Sequence, residues 1–233
     1  MNINIVKEKI KLHKYYLITI IIMFIIIIVL GFFLLTKEND TFTNPYEVKV
    51  KPNDNFLFLG DSITDFYPLE EYYDNLPVVN SGIAGNKTTD ILNDMETRVY
   101  QYNPTKVFLL IGTNDLDLTS EDIVDTTFNN IKKIVKEIRE NRSKSTIYVE
   151  SVYPVNSTIE NNTVNNRANR KIRKLNEKIS QYCDGESCNY INLYDDLIDE
   201  EGNLKEEYTE DGLHLNSLGY VVITRELLPY LNE

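Results

Sequence analysis

The sequence is poor in the residues that bind transition metals: its 233 residues include two histidines and two cysteines. Cys183 and Cys188 have no histidine near them, so they do not complete the tetrahedral ligand set of a zinc site, and no metal site is predicted. Outside the cytoplasm two cysteines this close can oxidise, and Asp184-Gly185 can form a turn between them. A small local disulfide is therefore the favoured interpretation, with two free thiols in a loop as the alternative.

Positive charge is also scarce. The chain carries 24 Lys and Arg against 36 Asp and Glu, a formal charge of −12. Residues 1–36 contain four of the lysines and one of the acids, so residues 37–233 carry 20 basic and 35 acidic residues, a formal −15. A surface of this charge repels nucleic acid and anionic lipid headgroups, so neither is predicted to bind this part of the chain.

One long hydrophobic run lies near the N-terminus. From Leu17 to Leu35 only Thr19 and Gly31 interrupt the apolar residues, and about 20 such residues are needed to cross a bilayer core. Four lysines precede the run against one acid, so the positive-inside rule places the N-terminus in the cytoplasm and the remaining chain outside. A cleaved signal peptide is the alternative, but the run is longer than its usual apolar region and no A-x-A-like site follows.

These features divide the chain into four segments. Residues 1–14 are predicted as a basic cytoplasmic flank, residues 15–36 as a transmembrane anchor, residues 37–53 as a polar linker and residues 54–233 as one domain. A domain of about 180 residues is large enough to bury a full hydrophobic core. The predicted localisation is the cell membrane, with a single span and the large domain on the extracellular side.

Short apolar runs alternate with helical patterns throughout the large domain. The predicted strands are Phe56–Leu59, Val78–Val79, Lys106–Ile111, Thr146–Val149 and Tyr190–Leu193. The predicted helices are Thr88–Tyr102, Ser120–Glu140, Asn165–Gln181 and Ser217–Leu231, with Thr119 or Ser120 capping the second. Such alternation predicts an α/β fold with a mostly parallel sheet and helices on both faces.

Ser62 lies just after the first predicted strand, where ligands bind in an open α/β sheet. A serine hydroxyl becomes a nucleophile when a base removes its proton, and histidine is the usual base. His13 belongs to the predicted cytoplasmic flank, which leaves His214. A tight turn through Gly212 would let Asp211 accept a hydrogen bond from one imidazole nitrogen, so that the other nitrogen faces Ser62.

Two further stretches follow predicted strands at the same edge of the sheet: Asn80–Asn86 and Gly112–Asp115. Both contain small or amide-bearing residues. An acyl transfer needs hydrogen-bond donors aimed at the developing oxyanion, and an asparagine side chain or a glycine N–H is suitable. The Asn-rich stretch Asn156–Asn166 is predicted as a mobile loop beside this site.

Four short blocks therefore stand in order along the chain: Gly60-Asp61-Ser62-Ile63, Gly85, Gly112-Thr113-Asn114-Asp115 and Asp211-x-x-His214. Their order and spacing resemble those of the SGNH hydrolases, also called the GDSL esterase/lipase family. The resemblance covers essentially all of residues 54–233. Ile63 stands where the family name has Leu, which is a mild apolar exchange.

The resemblance implies a flavodoxin-like three-layer α/β/α sandwich with a five-stranded parallel sheet. It implies Ser62 as the nucleophile, His214 as general base and then general acid, and Asp211 as the group that orients His214. The N–H of Ser62, the N–H of Gly85 and the side chain of Asn114 would bind the oxyanion. No metal or organic cofactor is implied.

The function predicted from these observations is that of a membrane-anchored, extracytoplasmic serine esterase. Its predicted substrate is a small acyl ester, most simply acetyl, on cell-envelope carbohydrate. One alternative is an O-acyltransferase that uses the same residues to pass the acyl group to a glycan hydroxyl. A lipase or lysophospholipase is a second alternative, and a surface binding module without catalysis is the least favoured.

Overall fold

The computed structural model describes Met23, residues 48–183 and residues 187–232. The chain divides into two units, Met1–Thr43 and Asn44–Glu233, and the sheet belongs to the second. Apart from Met23, the predicted anchor at residues 15–36 lies outside the described residues, as does the predicted linker up to residue 47. No helix within the described residues is long and apolar enough to cross a membrane.

Five parallel strands form one sheet in the order β2-β1-β3-β4-β5. They are β1 (Phe56–Gly60), β2 (Val78–Gly82), β3 (Lys106–Leu110), β4 (Thr146–Glu150) and β5 (Asn189–Ile191). This strand order is that of flavodoxin-like sheets, in which the chain reverses direction across the sheet between β1 and β3. The predicted α/β fold with a five-stranded parallel sheet is confirmed.

Eight α-helices occur in the described part of the second unit. They are α1 (Ser62–Asp65), α2 (Leu69–Tyr72), α3 (Thr88–Asn93), α4 (Met95–Arg98), α5 (Ile123–Asn141), α6 (Asn169–Cys183), α7 (Tyr194–Leu197) and α8 (Ser217–Asn232). Two short 3₁₀ helices span Tyr100–Tyr102 and Glu206–Tyr208.

The single helix predicted over Thr88–Tyr102 is wrong, because the segment contains α3, α4 and a 3₁₀ turn. The break between α3 and α4 falls at Asp94, whose φ of −138° and ψ of 40° are not helical. Its carboxylate instead accepts a hydrogen bond from the Thr97 hydroxyl, a local bond that competes with the regular helix.

Two other helices begin later than predicted. Helix α5 begins at Ile123 instead of Ser120, and neither Thr119 nor Ser120 is its cap residue; that position belongs to Asp122. Helix α6 begins at Asn169 instead of Asn165, since Asn165 has a φ of 52° that a right-handed helix does not allow.

The last strand also differs from its prediction. Strand β5 ends at Ile191, whereas the sequence predicts strand to Leu193. The backbone N–H groups of Leu193 and Tyr194 both donate to the buried Ser151 hydroxyl, each at 2.9 Å. These side-chain contacts replace ladder hydrogen bonds and turn the chain into α7.

Helices cover both faces of the sheet. On one face, alternate residues of β1 and β3 such as Leu57, Leu59 and Val107 join a core formed with the apolar sides of α3 to α6. On the other face the core is aromatic: Phe108 stacks on Tyr148 with ring centroids 5.0 Å apart, and Tyr148 contacts Tyr230 of α8 at 5.4 Å. Packing on both faces holds the strands in place, and the polar residues discussed below follow the carboxyl ends of these strands.

A disulfide joins Cys183 at the end of α6 to Cys188 just before β5. The favoured interpretation of this cysteine pair is confirmed. The bond joins the end of α6 to the residue that precedes the edge strand β5. Residues 184–186 between the two cysteines lie outside the described residues.

Candidate active site

Ser62 lies two residues beyond β1 and is the first residue of α1. The preceding Gly60 admits no side chain, because a Cβ there would lie 2.1 Å from Thr64 Oγ1 and 2.5 Å from the Leu110 carbonyl. The Asp61 carboxylate accepts a hydrogen bond from the Ile63 N–H at 3.0 Å and so caps α1. This tight connection presents the Ser62 side chain at the carboxyl edge of the sheet.

The structure brings Ser62, His214 and Asp211 together in one hydrogen-bonded line. Ser62 Oγ lies 2.9 Å from His214 Nε2, and His214 Nδ1 lies 2.7 Å from Asp211 Oδ2. A carboxylate can only accept, so Nδ1 carries the proton and Nε2 is left to accept from the serine hydroxyl. The arrangement therefore selects the tautomer in which the imidazole can remove the Ser62 proton.

The turn that presents His214 depends on Gly212. Its φ is 75°, and a Cβ at this position would lie 2.1 Å from the carbonyl oxygen of Asn156. The turn lets Asp211 Oδ1 accept from the N–H groups of Leu213 at 3.0 Å and His214 at 2.8 Å. The backbone therefore holds one oxygen of the Asp211 carboxylate, Oδ1, in place, and the other oxygen, Oδ2, contacts the imidazole.

Asp211 is ionised at all but strongly acid pH. Partial burial by itself would raise its pKa, but hydrogen bonds from the backbone and ring of His214 and from Leu213 and Thr163 outweigh that effect. Together they lower the pKa of Asp211 to about 2. The negative charge beside the imidazole is therefore permanent under ordinary conditions.

Asn114 follows β3, the strand next to β1, and connects two of the loops at this edge. Its Nδ2 donates to the Asn86 carbonyl at 3.0 Å, and its Oδ1 accepts from Arg167 Nη2 at 2.7 Å. Gly85 precedes Asn86, is exposed and has a φ of 81°. The site residues predicted from the second and third blocks thus belong to loops in direct contact.

A buried arginine that the sequence analysis did not single out supports the same edge. Arg98, at the end of α4, donates to the carbonyl of Gly60 at 2.9 Å and to the Ser81 hydroxyl at 3.2 Å. It also contacts Asn86 Oδ1. One side chain therefore ties the ends of β1 and β2 to the loop that contains Gly85, and its position at the end of a short helix gave no sequence signal.

Two more residues missed by the sequence analysis contact the predicted site residues. The hydroxyl of Thr163 donates to Asp211 Oδ2 at 2.9 Å, and Arg167 contacts Asn114. Thr163 lies within the stretch Asn156–Asn166, and Arg167 follows it directly. The available signal was an arginine directly after an Asn-rich loop.

Two buried carboxylates flank the site. Burial raises the pKa of Asp61 to about 7, although the hydrogen bond from Ile63 opposes the shift. Asp61 Oδ2 has no hydrogen-bond partner among the described residues. Burial also raises the pKa of Asp115, whose carboxylate accepts from both the N–H and the hydroxyl of Thr88. Within the described residues, no group of three or more His, Cys, Asp and Glu side chains could bind a metal ion.

The comparison with protein families decides the identity of the chain. The model of the GDSL-like lipase/acylhydrolase family matches residues 58–222, from β1 into α8. The chain belongs to this family. It is accordingly a carboxylic ester hydrolase, and both the family and the enzyme class predicted from the sequence are confirmed.

Solved structures of similar chains agree with this membership. A solved protein from Streptococcus pneumonia, named as a platelet activating factor, is 33% identical to this chain. The TM-score is 0.72, and the match covers 89% of this chain and 98% of that one. An acetylxylan esterase from Geobacillus stearothermophilus, solved as a catalytic mutant, is 20% identical with a TM-score of 0.59, covering 79% and 96% of the two chains. At 20% identity, the likeness to the acetylxylan esterase shows a shared fold.

One curated relative has a different name. An N-acylneuraminate cytidylyltransferase of Escherichia coli O18:K1:H7 is 33% identical over 174 residues, which are 74% of this chain and 39% of that protein. The GDSL-like chain therefore corresponds to a part of this longer relative, and its likeness extends to that part alone.

Proposed function

We propose that this GDSL-like hydrolase cleaves small acyl esters with Ser62 as nucleophile, His214 as general base and Asp211 as the group that orients His214. The hydrogen-bonded line from Ser62 Oγ through the imidazole to Asp211 Oδ2 carries the proposal, with distances of 2.9 and 2.7 Å. These contacts are the ones that an activated serine requires before substrate binds.

In the first half of the reaction, Ser62 Oγ attacks the ester carbonyl carbon while His214 Nε2 takes the hydroxyl proton. The ionised Asp211 stabilises the imidazolium that forms. The N–H groups of Ser62 and Gly85 and the side chain of Asn114 donate to the carbonyl oxygen as it becomes negative. His214 then gives its proton to the leaving alkoxide, and the acyl group stays on Ser62.

In the second half, water attacks the acyl-enzyme. His214 takes a proton from the water, the tetrahedral oxyanion forms again in the same place, and the carboxylic acid leaves as Ser62 recovers its proton. Each step uses only groups of this chain and the two substrates, ester and water.

A small acyl group on carbohydrate is the proposed substrate. Next to His214, the ring of Phe66 lies with its centroid 5.3 Å from that of the imidazole and is 53% exposed. Ile83, near Gly85 on the adjacent loop, is 45% exposed. We infer that these two exposed apolar side chains contact the substrate, and the exposed aromatic ring of Phe66 offers a flat apolar face on which a sugar can stack.

The name of one similar protein, an esterase of acetylated xylan, supports an acetylated carbohydrate as substrate. We propose testing the acyl group and the alcohol separately. A series of p-nitrophenyl esters gives the acyl preference, and acetylated xylan, acetylated peptidoglycan and an O-acetylated N-acylneuraminate give the alcohol. Highest kcat/KM for acetyl supports the proposal, whereas a preference for long acyl chains would indicate a lipase.

The test of the nucleophile is hydrolysis of p-nitrophenyl acetate by the full chain in detergent. Ser62→Ala should lower kcat by about 10⁴-fold or more, because the covalent path is lost. The control is Ser143→Ala, which removes an exposed serine hydroxyl after α5 and should leave kcat unchanged. Equal rates in the wild type and Ser62→Ala would exclude Ser62 as nucleophile.

Transfer to a second hydroxyl is the alternative outcome for the acyl-enzyme. Mass spectrometry of an oligosaccharide incubated with enzyme and acetyl donor separates the two reactions. Free acetate without an acetylated oligosaccharide supports hydrolysis. An oligosaccharide that gains acetyl while little acetate appears would identify an O-acyltransferase.

We also propose that the hydrolase is anchored in the cell membrane with its catalytic unit outside the cell. The apolar run from Leu17 to Leu35 and the lysines before it support this proposal. A reporter fused after Glu233 should react with a membrane-impermeant reagent on intact cells. Reaction only after lysis would contradict the topology, and a reporter recovered in the medium without residues 1–36 would indicate a cleaved signal peptide.

A further inference from the structure

The segment 156–167 contacts both the turn that presents His214 and the loop that contains Asn114. Near its start, the Asn156 N–H donates to the Gly212 carbonyl at 2.8 Å. Further along, the Thr163 N–H donates to the Asp211 carbonyl at 2.9 Å, and the Thr163 hydroxyl donates to Asp211 Oδ2 at 2.9 Å. Hydrogen bonds therefore hold the segment against the turn that presents His214.

At its other end the segment places Arg167 against the loop after β3. Arg167 is 9% exposed, and its Nε donates to the Thr113 carbonyl at 3.1 Å while Nη2 donates to Asn114 Oδ1 at 2.7 Å. Its Nη1 lies 3.4 Å from Asp117 Oδ2 in a mostly buried ion pair. Neighbours on two sides thus fix the guanidinium plane.

These contacts determine which way the Asn114 amide faces. A guanidinium has only donors, so it selects the amide oxygen of Asn114; the Asn86 carbonyl has only acceptors, so it selects the amide nitrogen. Both partners favour the same orientation. One Nδ2 hydrogen then goes to Asn86, and the second remains for a ligand at the sheet edge.

We propose that Arg167 is a positioning residue, which acts through Asn114 by keeping the amide nitrogen directed at the developing oxyanion. The proposal rests on the function proposed above, in which Asn114 is an oxyanion donor. If the amide rotated by half a turn, its oxygen would face the oxyanion and repel the charge that it is meant to stabilise. Arg167 opposes that rotation without contacting the reacting atoms.

Lysine is the informative replacement for Arg167. It keeps the positive charge opposite Asp117 but replaces the planar fork with a single flexible ammonium, which cannot bind Thr113 and Asn114 together in the same way. Loss of one oxyanion donor costs about 10²- to 10³-fold in kcat. Since Arg167→Lys weakens one of the two contacts that orient the amide and leaves the contact with Asn86, we expect kcat to fall by about 10-fold or more, with little change in KM.

The decisive measurement is a double-mutant cycle that compares the wild type, Arg167→Lys, Asn114→Ala and the double variant. Each rate is divided by the fraction of enzyme whose Ser62 is labelled by a fluorophosphonate, so that inactive protein does not count. If Arg167 acts through Asn114, Arg167→Lys should have almost no further effect on kcat in the Asn114→Ala background. A merely structural role would lower kcat by the same factor in both backgrounds and would overturn the proposal. Wild-type kcat in the single variant Arg167→Lys would overturn it as well.

Two controls complete the design. Arg170→Gln removes an exposed arginine near the start of α6 and should leave kcat, KM and thermal stability unchanged. Arg167→Gln is the second test variant, and it should show the same non-additivity with Asn114→Ala. If instead Ser62→Ala or Asn114→Ala retains the wild-type kcat, the proposed function fails, and that result is distinct from additivity between Arg167 and Asn114.

Discussion

Ser62 has its surroundings arranged by side chains that are far away in sequence. Its imidazole partner comes 152 residues later, and Arg98, which ties the end of β1 to the loop containing Gly85, comes from the end of a short helix. The hydroxyl itself is ordinary. Its proposed reactivity comes from a base with a fixed tautomer and from donors at adjacent strand ends.

The role of Asp211 can be tested by Asp211→Asn. An asparagine amide can donate as well as accept, so it can turn the imidazole into the tautomer in which Nε2 carries the proton and cannot remove that of Ser62. We expect kcat for p-nitrophenyl acetate to fall by about 10³- to 10⁴-fold. The matched control is Glu210→Gln, the exposed acid next in the chain, which should keep wild-type kcat. A small effect of Asp211→Asn would show that orientation of the imidazole does not limit the rate.

Among the elements, the short connections after strands matter more than the long helices. The connection from β1 to α1 and the turn at Gly212 both require glycine, for steric reasons that involve backbone atoms of other segments. Backbone atoms cannot move aside as the end of a flexible side chain can. The loops at this edge are therefore fixed by the packing of the chain against itself.

Gly212→Ala tests this view of the turn. The added Cβ would lie 2.1 Å from the Asn156 carbonyl oxygen in a left-handed conformation, so the turn must shift and take Asp211 and His214 with it. We expect kcat to fall by about 10²-fold, the cost of a displacement of about 1 Å in a catalytic group.

The matched control for this substitution is Gly202→Ala. Gly202 also has a positive φ, of 81°, but the nearest atom to its Cβ position is Arg173 Nη1 at 3.8 Å. The Gly202→Ala variant should lose about 1 to 2 kcal/mol of unfolding free energy from backbone strain alone and keep the wild-type kcat. Equal losses of activity in the two variants would mean that the contact with Asn156 is irrelevant.

At the scale of the whole molecule, the aromatic side of the sheet contains an acidic group in its core. Glu150, the last residue of β4, is 4% exposed and accepts a hydrogen bond from Tyr153 at 2.6 Å. Burial raises its pKa to about 7, only partly offset by that hydrogen bond. The folded protein therefore binds this proton more tightly than the unfolded chain does.

Stability should consequently fall as pH rises. Below the ordinary pKa of a glutamate both states carry the proton; between that value and about 7 only the unfolded chain releases it, so unfolding becomes easier. Above about 7 the loss is complete, on the order of 3 kcal/mol for Glu150 alone. Buried Asp61, whose pKa is also raised to about 7, adds a loss in the same direction.

The measurement is chemical denaturation of the wild type and Glu150→Gln at pH 5 and pH 8. The variant keeps an acceptor for Tyr153 but cannot ionise, so its unfolding free energy should fall less between the two pH values. Glu96→Gln, at an exposed acid of α4, should retain the full wild-type dependence. An unchanged pH dependence in Glu150→Gln would exclude Glu150 as its source.

Much of the fold follows from the sequence because its determinants are local. Apolar runs bounded by polar residues and glycine predict the five strands, and their alternation with helices predicts a parallel sheet. Errors occur where a side chain competes with the backbone, at Asp94 and Ser151, or where Asn165 takes a positive φ. Such positions look the same in sequence as residues that continue an element.

The amino-acid sequence alone predicts the main reactive groups of this protein: a serine after a strand, one histidine beyond the apolar run, a carboxylate three residues before it, and the order of four family blocks. The folded chain was needed to find that Arg98, Thr163 and Arg167 surround these groups. Their hydrogen bonds join segments up to about 50 residues apart, and whether such segments meet depends on the register of the strands and on the path of the loops that follow them.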